Sequence, residues 1–135
     1  MQTEPRAGCG AAIIIDGRIL LIRRLRAPEP GHWGLPGGKI DLFEPAAIAT
    51  AREIREELDI GIDCRDLLCV VDLIDEAAGT HWLSPVYLVR EITGTPRNLE
   101  PEKHDGMAWF PLDALPAPLT TPTRVALAAL KARGF

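Results

Sequence analysis

The chain has 135 residues, 47% of them hydrophobic and 25% charged, the balance of an ordinary folded domain with chain enough for one core. That balance excludes a disordered or collagen-like chain, and no apolar run approaches the roughly 20 residues that span a bilayer. A net charge of -4 with no basic stripe argues against a nucleic-acid backbone as partner.

In chain order, residues 1–6 read as a loose end without the apolar stretch of a signal peptide. Gly8 to Leu25 reads as a β-hairpin, with Ala11–Ile15 and Ile19–Ile22 as arms and Asp16-Gly17 as the turn. Both faces of the arms are apolar, so this sheet is expected to be covered on both sides. Ala27–Gly31 reads as a loop, and Leu35-Pro36-Gly37-Gly38-Lys39 as a strand end followed by a glycine turn. Residues 45–58 have the period of a helix, with Pro45 in its first turn and Ala47, Ala51, Ile54 and Leu58 as the core-facing stripe. Leu67–Ile74 and Trp82–Val89 are expected strands, Thr93–Asp105 a polar loop and Met107–Phe110 a short strand. Thr121-Pro122 has the look of a cap and first turn opening a helix to about Arg133. Strands, helix, strands, helix, with two-sided burial, predict one α/β domain over residues 1–135, a sheet sandwiched by helices.

Cys9, Cys64 and Cys69 are scattered, with no CxxC and no zinc spacing to His32, His81 or His104. They read as unpaired thiols of a reducing compartment, so a cytoplasmic location is expected.

Charge is uneven. Residues 45–77 hold three Lys/Arg against nine Asp/Glu, while the segments on either side each hold six against five. On a helical wheel Glu53, Glu56 and Glu57 crowd one flank, about 120° from the apolar stripe. Taken alone, that is a solvated acidic face, with Arg52 offsetting Glu56 at i+4. The preceding diglycine changes the reading. Without side chains there, backbone groups can approach a phosphate or a cation closely. Glu44, six residues past Gly38, lies where a loop could fold back on the helix. Hard oxygen donors then converge from loop and helix, as Mg²⁺ or Mn²⁺ requires.

Gly38, Glu44, Arg52-Glu53-Ile54-Arg55-Glu56-Glu57 and Ile60 resemble the Nudix box, Gly-x5-Glu-x7-Arg-Glu-U-x-Glu-Glu-x-Gly-U with U aliphatic. Eight of its nine specified positions match across residues 38–60. Asp59 stands where the pattern has Gly, which usually closes the helix in a left-handed turn that Asp also tolerates. Phe43 stands where many members have Gly. The resemblance implies the Nudix α/β/α sandwich, a mixed sheet between helices, and hydrolysis of a nucleoside diphosphate linked to another group. It implies Glu56 and Glu57 as metal ligands, Glu53 as ligand or base, and a carbonyl of Gly38 or Gly37 on the metal. Arg52 would orient the carboxylates, and Glu44 would hold loop to helix. In members similar to MutT, a loop carboxylate joins them, here Glu100 or Glu102, with His104 as a lesser candidate base.

Arg23, Arg24 and Lys39 are candidates for phosphate contact, and Trp109 or Phe110 for the nucleobase, whereas Trp33 and Trp82 read as core. The family's secondary signatures for other substrates are absent: the first Pro past the box is Pro85 and the one Tyr is Tyr87. The chain therefore looks most like a nucleoside triphosphate pyrophosphohydrolase using Mg²⁺ or Mn²⁺, as monomer or homodimer. ADP-ribose or a nucleotide sugar is the alternative substrate, and a non-catalytic nucleotide-binding regulator the alternative class.

Overall fold

The computed structural model describes residues 1–135. In order the elements are β1 (Arg6–Ile15), β2 (Arg18–Arg24), β3 (Trp33–Gly34), β4 (Gly37–Lys39), α1 (Ala46–Leu58), β5 (Asp66–Asp75), β6 (Thr80–Val89), β7 (His104–Pro111) and α2 (Thr121–Ala132). The expected hairpin forms β1 and β2. Asp16 and Gly17 both have positive φ, 53° and 72°, as a two-residue turn matching strand twist requires. Pairing along the hairpin is short, Ile14 with Ile19 and Ile15 with Arg18. Beyond it the arms diverge. β1 runs parallel to β6 and antiparallel to β4, while β2 pairs with β3 and β7. The sheet is mixed, with β5 outside β6.

Successive side chains of a strand point to opposite faces, and β1 uses both. Ala12 and Ile14 join Ala126 and Leu130 of α2 in one core. Ala11 and Ile13 join Ile54 and Leu58 of α1 in the other. This is the two-sided cover that the apolar hairpin arms imply.

Several boundaries differ from the sequence expectation. Residues 37–39 form a strand, not a turn, because Gly37 and Gly38 pair with Gly10 and Cys9 of β1. Pro45 is the N-cap of α1 and makes no side-chain cap bond. Thr120, not Thr121, caps α2, its hydroxyl accepting from the Thr123 N–H. The expected loose start is tied down: the Gln2 side chain bonds both backbone groups of His81, at 2.9 and 3.0 Å. Ala47 and Ala51 are only half-buried, and the buried face of α1 is Ala49, Thr50, Ile54, Glu57 and Leu58. The helix is rolled so that its Thr50–Glu57 edge leans on β4, where the glycines offer backbone and no side chains.

Candidate active site

That roll decides the site. Glu57 is 3% exposed, not on an open flank as the wheel implies. Its Oε1 accepts from the Gly37 N–H at 3.3 Å, and its buried Oε2 has no partner. Burial, then the negative charges of Glu53 and Glu100, hold its carboxyl well above the usual carboxylate range. Glu53 is also raised, chiefly by burial, with Arg52 opposing. Glu56 lies outermost, its side chain 52% exposed. A Cβ at Gly37 would collide with the Cys9 backbone, and one at Gly38 would displace the Glu53 carboxylate.

Arg52 organises the cluster. Its Nε and Nη2 donate to the two oxygens of Glu44 at 2.7 and 2.9 Å, a bidentate pair. Nη1 donates to Glu53 at 3.0 Å and to Glu56 at 3.2 Å. Nη2 also donates to the Lys39 carbonyl at 3.0 Å. The guanidinium holds the Glu44 carboxyl down at about 2, helped by the Asp41 N–H. Loop, helix and β4 are therefore tied through one planar cation, which a lysine could not replace.

The loop after β6 brings Glu100 to the cluster, with Lys103 Nζ donating to it at 3.0 Å. Glu102 is exposed and makes no hydrogen bond. His104 is buried with Nδ1 unpartnered, and burial pushes its pKa down, favouring the neutral ring.

Three observations fit a divalent cation here. A buried carboxylate oxygen is orphaned, like charges crowd it, and the carboxylates and β4 carbonyls gathered there are hard oxygen donors. The set is open: no three His, Cys, Asp or Glu side chains form a finished cage, and Arg52 and Lys103 meanwhile hold Glu53, Glu56 and Glu100. An open set suits an ion that keeps several waters and takes few protein ligands. Glu53, Glu56, Glu57, Glu100 and the carbonyls of Gly37 and Gly38 are the donors within this region.

On the other side of β4 lies a cavity of about 330 Å³. Leu73, Trp82, Ser84 and Val86 share the sheet face that lines it. Arg24, Lys39, Glu29 and Thr120 are also in its wall. Arg24 is held by the carbonyls of Pro28 and Ala27, at 2.8 and 3.2 Å, and feels the charges of Glu57 and Glu29. Glu29 accepts from the Thr121 N–H at 3.0 Å, anchoring loop 27–31 to the start of α2.

The structure thus brings Arg24 and Glu100 near the box carboxylates and sets Lys39, itself within the box, in the cavity wall, and it does not bring Arg23, Glu102, Trp109 or Phe110 there. Arg23 is paired to Asp105 at 2.6 Å. Trp109 packs into the α1-side core. Phe110 packs into the α2-side core, edge-on to Trp33 at 4.8 Å. Neither ring lines the cavity. Trp82, read from sequence as core, does; strand alternation sets it on one face with Ser84 and Val86 but does not say which face meets the cavity.

The Nudix domain family matches residues 5–130. A crystal structure of a MutT Nudix hydrolase from Burkholderia pseudomallei superposes with TM-score 0.92 at 58% identity, covering 94% of this chain and 98% of that one. A Mycobacterium tuberculosis protein provisionally named 8-oxo-dGTP diphosphatase 2 is 37% identical over 101 residues, 73% of this chain and 67% of its own length. The ADP-ribose pyrophosphatase of Methanocaldococcus jannaschii is 32% identical over 94 residues, 70% of this chain and 56% of that protein. The 8-oxo-dGDP phosphatase of Homo sapiens is 30% identical over 75% of this chain, which spans only 30% of that longer protein. The family match over nearly the whole chain and the 58%-identical structure together show that the chain belongs to the Nudix hydrolase family.

Proposed function

We propose that the chain hydrolyses a nucleoside triphosphate, deoxy or ribo, to monophosphate and pyrophosphate, with Mg²⁺ (or Mn²⁺) at the acid cluster. The observation that carries this reading is the buried Glu57 with an orphaned oxygen, one strand away from a cavity walled by Trp82 and Arg24. The cavity takes the nucleoside, with Trp82 offering an aromatic face, and Arg24 and Lys39 meet the phosphates beside it. Glu53, Glu56, Glu57 and Glu100, with the carbonyls of Gly37 and Gly38, are the donors from which a bound cation would draw its protein ligands. Bound there, the metal neutralises phosphate charge and lowers the pKa of coordinated water. Arg52 orients Glu53 and Glu56 through its hydrogen bonds to both, and Glu44 keeps Arg52 in place. Either Glu53 or Glu100 takes the proton of the attacking water.

Oxidised guanine nucleotides are the first substrates to try, because two relatives are named for them. The Methanocaldococcus relative favours ADP-ribose as the second. Retention of every box carboxylate speaks against a purely regulatory binder. A Mg²⁺-dependent screen across 8-oxo-dGTP, the ordinary triphosphates, ADP-ribose and nucleotide sugars tests the proposal. Pyrophosphate release from a triphosphate is expected. Exclusive cleavage of ADP-ribose would replace this reading by the second, and no turnover of any would overturn both.

A further inference from the structure

The loop that delivers Glu100 is clamped by residues outside the site just described. Two backbone bonds lay it on the end of α1: Arg97 N–H to Leu58 O and Leu99 N–H to Glu57 O, both 2.9 Å. These satisfy carbonyls that a helix C-terminus otherwise leaves open. Asp59, the residue departing from the box, ends α1 in the left-handed region at φ 58° and ψ 35°. Its carboxylate accepts from Arg97 Nη2 at 2.7 Å, so the departure adds an anchor for the same loop. Asn98 then spans the loop from within. Its Oδ1 accepts from the Glu100 N–H at 3.2 Å, and its Nδ2 donates to the His104 carbonyl at 2.7 Å. Glu100 is therefore fixed by its own backbone N–H, two residues from a half-buried amide that is bonded at both ends.

We propose that Asn98 is a positioning residue that fixes the Glu100 carboxylate for the divalent cation, with the Asp59–Arg97 pair clamping the same loop to α1. The inference rests on the proposed role of Glu100 as a cation ligand or base. Groups that orient a metal ligand are worth about 10–100-fold in affinity or activity. The Asp59–Arg97 pair is exposed and contributes less, within about fivefold.

The test is a double-mutant cycle read by Mn²⁺ affinity of the protein alone, by calorimetry, and by kcat and KM for 8-oxo-dGTP. Asn98→Ala is expected to weaken Mn²⁺ binding and lower kcat by about 10-fold or more, with KM little changed. In a Glu100→Gln background the same change is expected to cost nothing further. Asn98→Ser retains a short acceptor for the Glu100 N–H, so it should recover part of the loss, and it serves if the alanine variant does not fold. Equal losses in both backgrounds, or no loss in the parent, would overturn the positioning role while leaving Glu100 in place. Full Mn²⁺ affinity and turnover in Glu100→Gln alone would instead sink the role of Glu100, and this inference with it.

Discussion

The two helices are nearly equal in length and each covers one face of the same sheet, yet they are built to opposite rules. α2 buries Thr123, Ala126 and Leu130 and opens on a Thr120 cap with Pro at its first turn, all stabilising choices. α1 opens on Pro45 with no side-chain cap and buries Thr50 and Glu57 beside Ile54 and Leu58. A buried carboxylate with a free oxygen costs stability in the metal-free protein. The difference teaches that one helix serves the core, and that the other gives up stability to hold unneutralised charge against β4.

The largest effect is expected from Glu57→Gln. Turnover should fall by about 10³-fold, the scale of losing one electrostatic stabiliser. Because the Glu57 carboxyl is raised, its ionised form is disfavoured in the folded state, and the penalty grows as pH rises through the unfolded value and on toward the folded one. The metal-free variant should therefore melt higher than the parent at neutral pH, by about 4 °C per kcal/mol recovered. A metal-free variant melting below the parent would break the contrast between the helices.

Leu130→Ala, on α2 and 2% exposed, is expected to lose about 2–4 kcal/mol in urea unfolding, with turnover per folded molecule unchanged. Arg52→Lys should reduce kcat by about 10–100-fold, since an ammonium cannot bridge Glu44, Glu53, Glu56 and the Lys39 carbonyl together, and α1 should stay helical by circular dichroism. Thr120→Ala should remove about 1 kcal/mol of stability through the lost cap of α2, without altering metal affinity.

The smallest effect is a pH dependence at Glu44. Its carboxyl is depressed from an ordinary 4.5 to about 2 by Arg52. A depressed acid stabilises fully above its unfolded value, and that contribution is lost as pH falls from about 4.5 towards 2. The melting-temperature gap between the parent and Glu44→Gln should accordingly narrow between about pH 5 and pH 2. A gap that stays constant over that range would show that the pair adds nothing through charge.

Much of this was legible in the chain. The hairpin could be placed from Asp16-Gly17 between apolar runs, because positive φ is demanded there and few residue pairs supply it. The box could be placed because eight of the nine positions of a known family's pattern recur here at the right spacing, whereas the carboxylates alone read as a solvated acidic face. The placement of Glu57 was not legible: a helical wheel assumes that a helix seats on its apolar stripe. Here the neighbour is a strand of glycines, whose bare backbone accommodates a carboxylate edge. The diglycine likewise read as a turn, since glycine weakens strands in isolation. It is a strand because Gly37 and Gly38 pair with Gly10 and Cys9 of β1, at an approach so close that a Cβ at Gly37 would collide with the Cys9 backbone.

Local order and chemical type were thus written in the residues themselves: a two-sided apolar hairpin, a helix crowded with acid, a capped second helix, and the family they declare. Those features depend on near neighbours along the chain, and spacing carries them. Which carboxylate is buried, which arginine faces the cavity and which is tied to Asp105, and that Trp82 rather than Trp109 walls the pocket were settled by packing. Each depends on which face of one element meets another, a long-range contact between residues tens of positions apart, and no local pattern encodes it.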